Sequence, residues 1–239
     1  MGLFDKKFCD ICGSKIGLLG NRKLDDGNMC KDCAALLSPF MTDRRRTTIA
    51  DIKEHLAYRE ANKNSVAALN ITRTLGSGTK VMLDEDARRF VVTASRRWQE
   101  ENPDVMDYSQ VTGCQTEVKE SRTEIKRKDK DGNDISFNPP RYDIDYDFYL
   151  KIFINSPWFS EISFKVNASR VEERNSVEYR ENERLANEIK EALTSVRQGV
   201  REDIAASNTP KTARICPLCG ATTMPDANGC CEYCGGAMG

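Results

Sequence analysis

The chain has 239 residues, which is enough for one sizeable hydrophobic core with small accessory modules. Its 36 lysines and arginines are balanced by 37 aspartates and glutamates, which gives a net charge of -1. This charge argues against a protein that binds nucleic acid or other polyanions through its overall charge, so only local basic patches could do so. No apolar run reaches the length of a signal peptide core or a membrane-spanning helix, and we therefore expect a soluble, cytoplasmic protein.

The first feature along the chain is a set of four cysteines in two C-x-x-C pairs: Cys9, Cys12, Cys30 and Cys33. Two residues between cysteines let both thiolates reach one ion at about 2.3 Å, and four thiolates complete the tetrahedron that structural zinc prefers. The segment between the pairs predicts a hairpin, and the residues after Cys33 predict a short helix that ends near Pro39. This order predicts a treble-clef-like zinc module over residues 1–42.

Residues 43–68 are predicted to form an amphipathic helix and a connector. The segment begins with the basic tract Arg44–Arg46, and the spacing of Thr48 and Asp51 fits a capping box. Three apolar residues recur on one helical face: Ile49, Ile52 and Leu56. We expect this face to dock against a neighbouring part of the protein.

Residues 69–200 change to a strand pattern and then return to helix. About seven antiparallel strands are predicted, with hairpin turns at residues 84–86, 130–133 and 155–157. One long helix follows at about residues 176–198, with four apolar residues at helical spacing: Leu185, Ile189, Leu193 and Val196. The sequence therefore predicts an α+β protein in which an antiparallel barrel is closed by a helix.

The chain ends with a predicted polar linker, residues 201–213, and a second cysteine module, residues 214–239. Its ligands are predicted to be Cys216, Cys219, Cys231 and Cys234. A glycine follows three of the four C-x-x-C pairs, at Gly13, Gly220 and Gly235, where the backbone must turn tightly around the metal. Cys114 and Cys230 are not expected to bind metal.

The alternatives to zinc are a redox pair or disulfides. A thioredoxin-like pair would stand alone in a βαβ unit, whereas each pair here has a partner pair and no such unit surrounds it. Zinc is therefore preferred at both sites, giving two structural ions per chain as the predicted cofactors. Four cysteines leave no open coordination position for a reactive water, so neither site is expected to be catalytic.

Three stretches also resemble known families. The opening, CDICGSKIGLLGNRKLDDG followed by CKDC and IKEHLAYRE, resembles a bacterial family of unknown function, which implies a metal site and a bacterial or phage origin but no activity. The stretch from about Leu69 to Gly199, including DVMDYSQVTGCQTEV, resembles bacterial pleckstrin-homology-like domains. The ending, CPLCG through CEYCGG, is similar to the short zinc ribbons of many bacterial proteins.

Candidates for catalysis are few. His55, the single histidine, is interpreted as a surface or helix-packing residue. The segment LGSGTK at residues 75–80 lacks the spacing of a phosphate loop and is interpreted as a tight turn. Asp143, Asp145 and Asp147 alternate on one strand face, which could attract a cation but equally describes a solvated face.

Two binding surfaces remain. One is a basic hairpin, residues 119–130, which contains Lys119, Arg122, Lys126, Arg127, Lys128 and Lys130. Arg96 and Arg97 could extend its basic surface, which could bind phosphates or an acidic protein. Alternatively, the lysines only protect an exposed edge strand and have no binding function. The other comprises the two zinc modules. We therefore expect a non-enzymatic adaptor that binds another protein. The alternatives are nucleic-acid binding through the zinc modules and basic tracts, and binding of anionic lipid head groups by the hairpin.

Overall fold

The computed structural model describes residues 7–208, 214–224 and 229–238. The chain divides into two compact units, Met1–Arg197 and Gln198–Gly239, which are described separately. The first unit contains the N-terminal cysteine module and two antiparallel sheets, and the second contains the C-terminal cysteine module. Within the described residues, no helix combines the length and apolar character needed to span a bilayer.

The N-terminal module has the predicted order of elements. Strands β1 (Arg22–Lys23) and β2 (Asn28–Met29) form a short antiparallel hairpin, and helix α1 (Lys31–Ala35) follows at once. A small core lies between these elements and the next helix; its fully or nearly buried members are Cys9, Ile16, Leu24, Met29, Cys30, Cys33, Leu37 and Ile52. A hairpin this short is not stable alone, so the cysteines and this small core must hold the module together.

Helix α2 (Ile49–Ala67) begins with the predicted capping box, in which the Thr48 side chain accepts from the Asp51 amide and the Asp51 carboxylate accepts from the Thr48 amide. The predicted apolar face also packs as expected: Ile52 is buried in the core of the zinc module, and Ile49 and Leu56 lie against it. Helix α2 therefore joins the cysteine module on one side.

A second face of α2 is buried although it is polar. His55, Arg59 and Asn62 are all nearly inaccessible to solvent. Arg59 Nη1 lies 2.9 Å from Asp104 Oδ1, and the Asn62 amide donates to the Pro103 carbonyl at 2.8 Å. These contacts tie α2 to residues 103–104, which lie between two strands of the larger sheet, and the zinc module, α2 and the sheets belong to one compact unit.

The two sheets contain seven strands, the number that the sequence predicts, although the bounds of several differ. The first has four strands in chain order: β3 (Arg73–Leu75), β4 (Lys80–Asp84), β5 (Arg89–Thr93) and β6 (Met106–Asp107). A short helix, α3 (Trp98–Glu101), separates β5 from β6. The second sheet has three strands: β7 (Val111–Lys128), β8 (Asp134–Ile154) and β9 (Glu161–Lys165). All neighbouring strands are antiparallel, which confirms the predicted α+β class.

Helix α4 (Val177–Asn208) closes the core of the first unit. Ile189 and Leu193 are fully buried there and Leu185 packs against the same core, as their spacing predicts. The Tyr179 ring contacts the rings of Tyr146 and Phe148 with centroids 5.3 and 4.9 Å apart. The side chain of Val196 lies outside the described residues.

The structure differs from the predicted elements in two places. Helix α4 continues to Asn208, so residues 201–208 are helical where the sequence predicts linker, because no glycine or proline interrupts them. The remainder of the linker, residues 209–213, lies outside the described residues. In addition, β7 and β8 each run unbroken through residues predicted to separate two strands, residues 121–122 in β7 and 138–145 in β8. The two strands pair along the whole length of β7 apart from two register shifts.

The distal parts of β7 and β8 form a two-stranded ribbon. Strand β9 pairs with the segment from Tyr149 to Phe153, and the residues after β9 reach β8 as far as Tyr146, whose amide donates to the Val171 carbonyl at 2.8 Å. From residue 119 to residue 143, no side chain of this ribbon is buried. The predicted turn closes it: the Asp129 carboxylate accepts from the amides of Asp131 and Asn133 at 2.9 and 2.8 Å.

Candidate metal centres

The four N-terminal cysteines meet at one point. The Sγ atoms of Cys9 and Cys33 are 3.9 Å apart, those of Cys12 and Cys30 are 3.8 Å apart, and all four lie within 4.8 Å of one another. A zinc tetrahedron with bonds of about 2.3 Å has edges of about 3.8 Å, whereas a disulfide requires about 2.05 Å. The arrangement fits a single zinc ion and not a pair of disulfides.

Local backbone geometry places these sulfurs. In the first knuckle the Gly13 amide donates to the Cys9 carbonyl at 2.8 Å, and Gly13 adopts a φ of +75°, which disfavours any side chain. In the second knuckle Cys30 is the N-cap of α1, and its Sγ accepts from the Cys33 amide at 3.4 Å. The Cys30 amide in turn donates to Cys9 Sγ at 3.2 Å. Such amide donors stabilise thiolates around a metal.

The electrostatics of this cluster favour a cation. Hydrogen bonds from the hydroxyl and amide of Ser14 lower the pKa of Cys12 to about 6. Burial raises the pKa of Cys33, and the neighbouring sulfurs raise it further. Because neighbouring negative charges oppose one another, four sulfurs this close ionise together only beside a positive ion. A zinc ion bound here would supply that charge and crosslink the module.

The C-terminal cluster repeats this geometry in the second unit. The Sγ atoms of Cys216 and Cys234 are 3.6 Å apart, those of Cys219 and Cys231 are 3.7 Å apart, and all four lie within 4.8 Å of one another. Strands β10 (Arg214–Ile215) and β11 (Thr222–Thr223) form a minimal hairpin beside it. The two four-cysteine clusters are thus compatible with two structural zinc ions per chain.

Both knuckles of this cluster use the predicted glycine. The Gly220 amide donates to the Cys216 carbonyl at 2.9 Å, and the Gly235 amide donates to the Cys231 carbonyl at 2.8 Å. Their φ angles are +74° and +68°. Hydrogen bonds from the amides of Cys219 and Leu218 lower the pKa of Cys216 to about 7, which favours the thiolate form that a metal requires.

The two remaining cysteines lie outside the clusters. Cys230 forms an isolated β-bridge with Ala237, next to the cluster but not part of it. Cys114 is half-buried against the core of the first unit, and burial raises its pKa to about 11. A protonated, half-buried thiol behaves as a small apolar side chain, which agrees with the expectation that Cys114 is not a metal ligand.

The alternating aspartates do not form an open cation site. Asp143 and Asp145 lie 2.6 and 3.7 Å from the Arg170 guanidinium, and Asp147 pairs with Lys165. The cations that these carboxylates attract are therefore supplied by the protein itself, because the segment after β8 folds back. These ion pairs favour the interpretation of the three aspartates as a solvated strand face over their interpretation as a cation site.

The predicted basic hairpin is not a single patch. Arg122 pairs with Glu120 at 2.6 Å, and Lys128 pairs with Asp134 at 2.7 Å. Lys119 stacks over the Tyr149 ring, and Arg127 lies over the Phe137 ring. Since side chains alternate between the two faces of a strand, these cations are also divided between opposite faces. Arg96 and Arg97 belong to the loop that follows β5, a strand of the four-stranded sheet, whereas the hairpin belongs to the three-stranded sheet.

His55 and the segment 75–80 serve structural roles. The imidazole is fully buried, and its Nε2 accepts from the Ser38 amide at 3.0 Å. This makes it a helix-packing residue, one of the two roles foreseen for it. The segment 75–80 is a turn between β3 and β4, in which Gly76 adopts a φ of +93°.

Sequence reasoning missed one exposed surface on the N-terminal module. Leu18 and Leu19 are 92% and 88% exposed, more than any other large apolar side chain in the described part of the chain. Arg22 lies beside them, with its Nη1 donating to the Leu19 carbonyl at 3.2 Å. The sequence does indicate this surface: the two leucines stand between glycines in GLLG and belong to no helical or strand pattern that would place them in a core.

Comparison with known proteins finds a similarity in the N-terminal region. A family model described as Domain of unknown function (DUF4428) matches residues 7–55, about a fifth of the chain. No curated protein and no solved structure matches the chain. The matched region comprises the N-terminal four-cysteine module and the first turns of α2, and the family's description gives no activity.

Proposed function

We propose that the protein is a non-enzymatic, zinc-dependent adaptor that binds another protein through its C-terminal four-cysteine module. The observation that carries this proposal is the apolar surface of that module. Four large apolar side chains are between 53% and 75% exposed: Ile215, Leu218, Met224 and Tyr233. A second macromolecule that covered them would remove this apolar area from water.

The size of the module explains why it exposes these side chains. Among its described residues the buried apolar cluster consists of Cys216, Cys231 and Met238, so two of these three core residues are predicted metal ligands. A module of this size is ordered by its metal rather than by a hydrophobic core, which frees its apolar residues for contact. Exposed apolar side chains on a rigid scaffold suit the binding of another protein.

The absence of catalysis is part of the proposal. Four sulfurs at each cluster would saturate a tetrahedral ion and leave no position for a substrate or water. The single histidine is buried with its Nε2 occupied, so it offers no base to a bound substrate. These features support a binding role.

Affinity capture from the native host tests the proposal. The intact protein should retain a specific partner, and deletion of residues 214–239 should abolish retention while the first unit stays folded. A double variant, Leu218→Ser with Tyr233→Ser, should lose the same partner while still binding two zinc ions. If the truncated protein keeps every partner, the C-terminal module is not the binding surface.

Nucleic-acid binding is a second candidate, favoured by a basic cavity in the N-terminal module. This cavity of about 740 Å³ is lined by Arg22, Lys23, Arg44 and Arg45, with Asp25 as the single acidic residue. Phosphate contacts would make binding weaken steeply as salt rises, whereas an apolar protein interface would be far less affected. Titration of an oligonucleotide at two salt concentrations separates the two functions.

The third candidate, lipid binding by residues 119–130, receives less support because several of those cations are already paired with carboxylates or rings. We further propose that residues 69–200 are pleckstrin-homology-like. Support comes from the order of four strands, then three strands, then one closing helix. In this proposal the domain serves as a scaffold that carries one cysteine module before it in the sequence and one after it.

A further inference from the structure

We propose that the N-terminal zinc module docks on anionic lipid bilayers, with Leu18 and Leu19 inserted among the lipids and Lys15, Arg22 and Lys31 contacting head-group phosphates. This site is separate from the C-terminal surface proposed above. It also differs in place and in chemistry from the basic hairpin, residues 119–130, because it combines apolar and cationic side chains at one loop.

The leucines lie at the tip of a tight turn. The Gly20 amide donates to the Gly17 carbonyl at 3.0 Å, which closes the turn with both leucines on the outside. Both flanking residues are glycines and add no side chain that could cover them. At 92% and 88% exposure, each leucine presents almost its entire side chain to the surroundings. Burial of this area on binding is the apolar part of the proposed interaction.

Three cations surround this tip, and none of them has a carboxylate partner in the part of the chain that the structure describes. Lys15 and Lys31 line the same cavity of about 330 Å³ as Leu18 and Leu19, where Asp32 is the one acidic residue. Arg22 is fixed beside the loop by its hydrogen bond to the Leu19 carbonyl. Within residues 7–208, none of these three cations forms an ion pair, whereas cations such as Arg59, Arg73 and Arg170 do.

The basic cavity extends this surface. Arg22 also lines the cavity that contains Lys23, Arg44 and Arg45, so the cations around the tip continue into a second group. A surface that carries closely spaced phosphates, such as an anionic bilayer, suits this set of cations.

The combination favours a bilayer over the other anionic partners. A nucleic-acid backbone would satisfy the cations but would leave two exposed leucines in water or against phosphates. An anionic bilayer presents phosphates at its surface and hydrocarbon directly beneath, which matches a loop with an apolar tip and a cationic base. Stable attachment to membranes generally requires two such signals together, and this loop provides both.

Vesicle co-sedimentation of the full zinc-loaded chain tests the proposal. The protein should bind phosphatidylcholine vesicles that contain phosphatidylserine and should not bind phosphatidylcholine alone. Leu18→Ser with Leu19→Ser should weaken binding at least about tenfold, because most of the inserted apolar area is lost. Replacing Lys15 and Lys31 by Gln should weaken it as well and reduce its salt dependence.

Leu36→Ser is the matched control, because Leu36 is 60% exposed on the same module but lies outside the loop. It should bind vesicles like the wild type, and zinc analysis should give two ions for every substituted variant. The proposal is overturned if anionic vesicles are not bound, or if the leucine variant binds them unchanged. It is also overturned if the protein binds duplex or single-stranded nucleic acid but not vesicles, or if the loop with Leu18 and Leu19 binds a protein partner but not vesicles. Deletion of residues 214–239 should leave vesicle binding intact, so this proposal and the adaptor function fail independently.

Discussion

Arg59 and Asp104 form an ion pair at 2.9 Å in which the side chains are 9% and 0% exposed. Asp104 also accepts from the Ser38 hydroxyl at 2.7 Å, so one carboxylate connects α2 with the chain that follows the zinc module. The Arg59 Nε donates to the Leu36 carbonyl at 3.3 Å, close to α1. The pair thus fixes the N-terminal cysteine module, α2 and the approach to β6 in one arrangement.

Arg59→Ala should destabilise the first unit by about 3–5 kcal/mol, because it leaves a buried carboxylate without its counter-charge. Chemical denaturation followed by circular dichroism measures the change. Arg46→Ala is the matched control, since the Arg46 and Asp43 side chains are 85% and 67% exposed; it should change stability by no more than about 0.5 kcal/mol. Equal effects of the two substitutions would contradict a structural role for the buried pair.

Stability should fall as the pH drops below about 6.5, the ordinary pKa of histidine. Burial lowers the pKa of His55 in the folded protein, so between the folded and unfolded pKa values the unfolded chain binds the additional proton. The contribution of neutral His55 is therefore fully present above the unfolded pKa and is lost as the pH falls. Protonation would also remove the Nε2 acceptor that the Ser38 amide uses.

Denaturation at pH 7.5, 6.5 and 5.5 checks this effect, with a slope of up to about 1.4 kcal/mol per pH unit below the unfolded pKa. His55→Gln offers a side-chain oxygen to the same amide but does not titrate. It should lower stability at pH 7.5 and flatten the slope. A slope in the variant equal to that of the wild type would assign the effect to other groups.

Gly13→Ala should destabilise the N-terminal module by about 1–2 kcal/mol, because a side chain is disfavoured at a φ of +75°. Gly17→Ala is the matched control in the same module. An added Cβ would meet no atom within 4 Å at either position, and Gly17 lacks the positive φ. A zinc competition assay should show weaker binding for Gly13→Ala alone. Weakening of both to the same extent would mean that the turn of the knuckle is not the cause.

Ile189→Ala should destabilise the first unit by about 2–5 kcal/mol, since this fully buried residue of α4 fills the core between the sheets. Val177→Ala, at the exposed start of the same helix, should have little effect because Val177 is 57% exposed. Thermal unfolding of both variants, with zinc bound, separates them. Similar melting temperatures for the two would contradict the position of α4 as the closing helix.

The cysteine clusters could be predicted because their chemistry depends on local spacing. Two residues between cysteines and a glycine after the second fix a knuckle almost irrespective of the rest of the chain. The capping box at Thr48 and the apolar face of α4 were predictable for the same reason, since both are patterns within a few turns of helix.

Contacts between distant segments could not be predicted in this way. Arg59 and Asp104 are 45 residues apart, and each belongs to a residue type that is usually exposed, so nothing in the sequence marks them as a buried pair. Arg170 neutralises Asp143 and Asp145 because a later segment folds back on β8. In the predicted basic hairpin, Lys128 pairs with Asp134 and Lys119 stacks over Tyr149, and both contacts depend on the pairing of β7 with β8.

Zinc stoichiometry measured by native mass spectrometry tests most directly that two cysteine clusters hold structural ions at the two ends of this chain. The intact protein should carry two zinc ions. Cys9→Ser and Cys216→Ser should each lose one, and Cys230→Ser should keep both because Cys230 lies outside the cluster. A metal-free protein with the mass of paired disulfides, or the loss of one ion in Cys230→Ser, would contradict the assignment of the two centres.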